Sequence, residues 1–179
     1  MRIIAGTHRS RKLITLEGMN TRPMMDKMKE SVFNTIGPYF DDIVVLDLFG
    51  GSGALSLEAI SRGASKSYIV DASLDAIKII TENVKTLKEE SKVNIYRLDY
   101  MDALKKFKDL KFDLIFLDPP FKMNIISEII DFLLDNNMIN QNAYIICQYI
   151  KGNVEKIDRL NLKKNFSTGS NEVSIYEML

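Results

Sequence analysis

Between Ile43 and Gln148 the chain alternates short apolar runs with segments of helical periodicity, and few folds accept that order. Ile43–Leu48 reads as a buried strand, and Ala54–Arg62 as a helix that Gly63 stops. Ser67–Asp71 is the second strand. Ser73 is placed to cap a long helix whose apolar face is Ile77, Ile80, Val84 and Leu87. Val93–Leu98 alternates as a third strand, followed by a short helix around Tyr100–Phe107, and Phe112–Leu117 is the fourth strand. Ile126, Ile129, Ile130 and Leu133 share one face of a helix over Ile125–Leu134, and Ala143–Gln148 is the fifth strand. Such alternation predicts an α/β fold with a mostly parallel sheet and helices on both sides.

The two ends read differently. Arg2–Ala5 and Arg11–Leu16 suggest two short strands. A helix around Met25–Ile36 would bury Met25, Met28, Val32 and Ile36 before Gly37-Pro38 breaks it, with Phe33 also packing. Val173–Met178 reads as a final strand, antiparallel because little crossover length precedes it.

A chain of 179 residues with 46% hydrophobic side chains fits one domain with a real core. No run approaches the roughly 18 apolar residues of a membrane helix, and Arg9, Arg11 and Lys12 follow too short an apolar start for a signal peptide. A cytoplasmic protein is expected, with no membrane partner. Cys147 is the single cysteine, which excludes an intrachain disulfide, and its apolar surroundings predict a buried thiol. His8 is the single histidine, so neither a histidine metal site nor a Ser-His-Asp triad is supported, and no metal is expected.

Net charge is zero but uneven: residues 1–40 carry seven Lys/Arg against three Asp/Glu, and residues 41–150 carry twelve against seventeen. A basic N-terminal segment suits phosphate contact, and Arg9, Arg11, Lys12 and Arg22 are its candidates. A solvated face explains the same charges equally well.

Ligands of open parallel sheets bind beyond the carboxyl ends of the strands. The first strand ends Asp47-Leu-Phe-Gly-Gly-Ser-Gly53, a turn in which backbone can approach a ligand without an intervening Cβ. The second ends at Asp71, 20 residues past Gly51, where a carboxylate can accept from both ribose hydroxyls. Asp99 ends the third and could accept from an adenine amino group. Three strand-end acids suit S-adenosylmethionine (SAM), a phosphate-free cation, better than a pyrophosphate, yet Gly51-x-Gly53-x-x-Ser56 also approaches the dinucleotide fingerprint.

Asp118-Pro119-Pro120-Phe121 at the fourth strand end favours methyl transfer to a base amino group. That nitrogen is a poor nucleophile because its lone pair is delocalised into the ring. Acceptors at the Asp118 carboxylate and Pro119 carbonyl could fix both N–H groups and aim the lone pair. Consecutive prolines hold those acceptors still. Phe121 could stack on an unstacked base.

These residues resemble the RsmD-type bacterial methyltransferases that modify guanine N2 in small-subunit (16S) ribosomal RNA. The resemblance runs from Met1-Arg-Ile-Ile-Ala-Gly6 and Arg11-Lys-Leu13, through Arg22-Pro23, Asp26, Lys27, Glu30, Phe33 and Asn34, to Asp47–Ala59, Ser61-Arg-Gly-Ala64 and Asp118–Phe121. Met24-Met25 departs from it, standing where the family usually has hydroxylated residues. The resemblance implies a doubly wound, mostly parallel seven-stranded sheet of the Rossmann-like methyltransferase type. It adds a small N-terminal β-hairpin over residues 1–20 that helps hold RNA, with the catalytic domain over 21–179. It places SAM against Asp47, Phe49, Gly50, Gly51, Gly53, Asp71 and Asp99, with Ala72, Tyr100 and Asp118 adjoining. It implies action on 16S rRNA within an assembling small subunit, and a monomer is expected. The same amine chemistry fits a DNA adenine-N6 or cytosine-N4 methyltransferase; an NAD-binding oxidoreductase and a non-catalytic RNA-binding domain are the readings from other classes.

Overall fold

The computed structural model describes residues 1–16 and 26–179. In chain order the elements are α1 (Asp26–Ile36), β1 (Val44–Asp47), α2 (Ala54–Ser61), β2 (Lys66–Asp71), α3 (Leu74–Leu87), β3 (Val93–Arg97), α4 (Tyr100–Lys106), β4 (Phe112–Leu117), α5 (Ile126–Asp135), β5 (Ile139–Ile150), β6 (Asn161–Thr168) and β7 (Asn171–Glu177). The seven strands form one sheet in the order β3-β2-β1-β4-β5-β7-β6. The first five strands pair in parallel, while β7 runs antiparallel to both β5 and β6. The expected seven-stranded α/β architecture is the observed one.

The order in which strands are added reverses between β1 and β4, which themselves run parallel. From β1 the chain winds outward through β2 to β3, then returns to place β4 on the other side of β1. Two apolar layers enclose the sheet. One joins α1, α2 and α3 through Val32, Phe33, Leu57, Ile80 and Val84. The other joins α4 and α5 through Leu104, Phe107, Ile126, Ile129, Ile130 and Leu133. Cys147 lies fully buried in β5, and burial pushes its thiol far above the usual range.

Three segments depart from the sequence expectation. Strand β5 starts at Ile139 because a bulge at the left-handed Asn142 (φ 62°) lets Ile139 pair with Phe112 ahead of the Leu114–Tyr144 pair. Strand β6 has no counterpart in the apolar pattern. It is an edge strand, and its Leu162, Lys163, Lys164 and Asn165 face water. At the N-terminus the expected pair of strands is a single antiparallel bridge, Arg2 to Lys12, closed by Ile3 N–H to Arg11 O and Ser10 N–H to Ile3 O. Its Ile3 and Leu13 enter the first apolar layer. The residue 20/21 boundary, Met25, the Arg22-Pro23 helix start and the candidate contact Arg22 lie outside the described residues.

Candidate active site at the carboxyl edge of the sheet

Register and strand order assemble the site. Asp47 of β1 lies opposite Ile69 of β2 and Phe116 of β4. The acids that follow these strands therefore stand in a row along one edge, Asp99, Asp71, Asp47 and Asp118.

The bend after β1 is locked by its neighbours. Gly50 N–H donates to Val70 O at 2.8 Å. A Cβ on Gly50 would lie 2.4 Å from Ile69 Cγ2, so a side chain there would force the bend off β2. Gly51 is different: its φ is +58°, and nothing lies within 4 Å of where its Cβ would be. Bare backbone thus borders open space, as a cofactor cradle requires. Gly51 N–H donates to Asp71 Oδ2 at 2.9 Å, and Ser73 N–H donates to Asp71 Oδ1 at 2.8 Å. Each Asp71 oxygen keeps a lone pair for a hydroxyl while tying the first two loops together. Gly53 caps α2.

Asp47 is 2% exposed, and burial raises its carboxyl to about 7 despite hydrogen bonds from the Ser56 hydroxyl and the Phe49 N–H; nearby Asp71 raises it further. Ser56 Oγ donates to Asp47 Oδ2 at 3.1 Å. This explains the serine at the third fingerprint position. A dinucleotide turn keeps that position small for helix packing; here it carries a hydroxyl aimed at a buried acid. Asp118 is half-buried, and desolvation with the adjacent Asp47 charge lifts its carboxyl well above the ordinary range. Among the described residues, ion pairs involve none of Asp47, Asp71, Asp99 or Asp118. Crowded acids without a cationic partner fit a positively charged ligand.

On the β3 side, Asp99 caps α4 by accepting from Met101 N–H at 2.9 Å, and stays exposed. The Phe49 and Tyr100 rings meet with centroids 5.9 Å apart, and Ala72 is exposed between the β2 and β3 ends. On the β4 side, Pro120 O accepts from Met123 N–H at 2.9 Å, closing a turn that carries Phe121.

The basic candidates stand elsewhere. Arg9 lines a cleft of about 840 Å³ with Ser61, Arg62 and Phe40, at the end of α2 remote from the glycine bend. Eight helical residues at 1.5 Å each put roughly 12 Å between those ends. Arg11 donates to Thr86 O at 3.3 Å near the end of α3, and Lys12 is exposed on the bridge.

Sequence reasoning missed one functional-looking group. Glu58, fully buried on α2, accepts from Ile4 and Ala5 N–H at 2.9 and 3.1 Å, and pairs with Lys29 at 3.1 Å and Arg62 at 2.7 Å. An acid inside an apolar helix was the only available signal. Among the described residues no cluster of His, Cys, Asp and Glu is placed to hold a metal ion, and no helix is long and apolar enough to cross a membrane.

Residues 1–177 match the family model described as conserved hypothetical protein 95. Ribosomal RNA small subunit methyltransferase D of Haemophilus influenzae is 38% identical over 147 residues, covering 81% of this chain and 76% of that protein. The Escherichia coli protein of the same name is 34% identical over 155 residues, covering 87% and 76%. The solved structure of Escherichia coli yhhF, provisionally described as a methyltransferase, superposes with a TM-score of 0.86 at 30% identity, covering 99% of this chain and 97% of that one. The chain belongs to the family of conserved hypothetical protein 95, the RsmD family.

Proposed function

We propose that this methyltransferase moves the methyl group of SAM to guanine N2 of small-subunit ribosomal RNA. The observation that carries the reading is the adjacency of an open glycine cradle and a proline-held acid on neighbouring parallel strands, β1 and β4. The relatives named as small subunit methyltransferase D support RNA as the substrate.

When bound, SAM supplies an electrophilic methyl group on a sulfonium cation. Asp71 would receive the ribose hydroxyls, Phe49 and Tyr100 would flank the adenine, and Asp99 would accept from its amino group. The Gly50–Gly53 backbone and Asp47 would face the methionine part, whose ammonium offsets the acid charge there. Asp118 and the Pro119 carbonyl orient the base amine by accepting its two N–H bonds. Phe121 stacks the base once it has left its helix. The departing N2 proton has Asp118 within reach of the amine it orients. Arg9, Arg11, Lys12 and Arg22 would hold phosphates of the particle at a distance from the reacting base.

Replacing Asp118 by Ala tests this. Loss of one preorganised acceptor should cut turnover on small-subunit particles by about 10²–10³-fold. SAM affinity, read by calorimetry, should stay within a few-fold. Unchanged turnover would remove Asp118 from the chemistry. The related DNA reading is tested in the same assay by offering duplex DNA, on which no transfer is expected.

A further inference from the structure

We infer that the loops following β4 and β5 form a second RNA-contacting surface, a basic rim in which Lys122 and Lys151 grip the phosphates flanking the target base. This rests on the ribosomal RNA reading above. It differs from the N-terminal arginines in place, because both lysines lie at the sheet edge that carries Asp118.

Strands β4 and β5 are parallel neighbours, so the segments that follow them leave from the same edge. Lys122 follows Phe121 directly, and Lys151 follows Ile150, the last residue of β5. The two loops touch: Pro119, Phe121, Gln148, Tyr149, Asn153 and Glu155 line one cavity of only about 20 Å³. Their backbones are anchored. Met123 N–H donates to Pro120 O, Asn153 N–H to Ile150 O, and Lys151 N–H to Ser170 O in the β6–β7 turn, each at 2.9 Å. The lysine side chains are exposed, and neither forms an ion pair among the described residues.

Charge on these loops is sorted. Glu155 spends its carboxylate on the α5 N-terminus, accepting from Ile126 and Ser127 N–H at 3.0 and 2.8 Å. Lys156 and Asp158 pair with each other at 3.1 Å. Lys122 and Lys151 are what remains, two unneutralised cations on a body whose residues 41–150 carry twelve Lys/Arg against seventeen Asp/Glu. An acidic body repels a polyanion unless cations stand where the strand enters. Arg9 stands at the end of α2 remote from the glycine bend, roughly 12 Å along that helix, more than the screening length of about 8 Å at physiological salt. Met123 and Val154, 38% and 39% exposed, add apolar surface on the same two loops for a sugar or an unstacked base.

The test is a Lys122→Gln/Lys151→Gln double variant, titrated with 16S rRNA and with small-subunit particles over a salt series. Two lost phosphate contacts should lower the slope of log affinity against log salt by about 1.4–1.8. In methylation assays KM for the particle should rise several-fold, while turnover at saturation, SAM affinity and melting temperature stay as in the parent. A Lys105→Gln/Lys108→Gln variant removes the same charge from the other end of the sheet and should leave the slope alone. An unchanged slope in the first variant, or an equal change in both, overturns the rim. If the parent binds rRNA with the expected lysine dependence but methylates nothing, the activity falls and the rim stands. If the parent binds neither RNA, both fall.

Discussion

Asp47 shows how a single residue can oppose folding and still be retained. Its carboxyl ionises at about 7 in the folded chain against 3.8 as a free side chain, a gap worth roughly 4 kcal/mol. The folded state holds the proton more tightly, so this stabilisation is complete below about 3.8 and is lost as pH rises through about 7. At pH 8 the ligand-free protein therefore carries a buried, ionised acid with only Ser56 and one backbone N–H to offset it. Asp47→Asn keeps an acceptor for the Ser56 hydroxyl and removes the charge. Its melting temperature should exceed the parent's at pH 8 and match it near pH 4. An equal gain at both values would locate the effect in packing instead. The same variant should weaken SAM binding at pH 8, because the carboxylate is the form that faces a cation. In the parent, SAM affinity should rise as pH passes upward through about 7, followed by calorimetry. The acids and glycines of this site were legible because they recur at the ends of successive apolar runs. Ser56 was not, since a helical serine has many uses and only the fold aims its hydroxyl at Asp47.

Among elements, legibility followed burial. The five parallel strands and α2 to α5 stood out because each presents an apolar run or stripe to a helix–sheet interface. Strand β6 stayed hidden because an edge strand needs only backbone pairing with β7, and its alternation is interrupted at the Leu162/Lys164 irregularity. Helix α5 shows what a local pattern omits. Its apolar face was plain, but Ile125 at its N-cap supplies no side-chain acceptor. The cap comes from Glu155, 28 residues beyond Ser127, whose carboxylate also accepts from the Ser127 hydroxyl at 2.7 Å. One carboxylate thus fastens the loop bearing Phe121 to the loop bearing Lys151. Glu155→Ala should cost about 0.5–2 kcal/mol, the usual loss of a cap. Beyond that loss, amide hydrogen exchange at Ile126 and Ser127 should quicken, and KM for the RNA particle should rise while SAM affinity holds. If exchange there is unchanged, Glu155 does not hold this junction.

For the molecule as a whole, the question is whether the N-terminal bridge is an appendage or part of the fold. Ile3 is fully buried and Leu13 6% exposed within the first apolar layer, worth roughly 1.5–3 kcal/mol each. Around Glu58 the bridge, α1 and α2 meet in one buried network. Lys29, with no exposure, reaches both Glu58 and Arg2 O, the latter at 2.6 Å, and Arg62 stacks over Phe33 at 4.7 Å while donating to Pro38 O. Burial lowers the Lys29 ammonium and Glu58 works against that. Glutamine at 58 would take the shared carboxylate from two buried cations and turn an amide NH2 toward one of the two backbone N–H groups. Glu58→Gln should therefore cost about 3–5 kcal/mol, lowering the melting temperature by roughly 6–20 °C for a chain of this size. Adding Lys29→Met should recover part of that loss, because one stranded charge disappears; no recovery would mean that the N–H groups, not the charges, dominate. The same network decides how the bridge's part in RNA binding can be probed. Deleting residues 1–16 should unfold the protein rather than yield a stable enzyme blind to RNA, seen as loss of a cooperative melt. Neutralising Arg9, Arg11 and Lys12 to Gln leaves Ile3, Leu13 and Glu58 in place. That variant should melt with the parent, and a raised KM for the particle would then report phosphate contact alone.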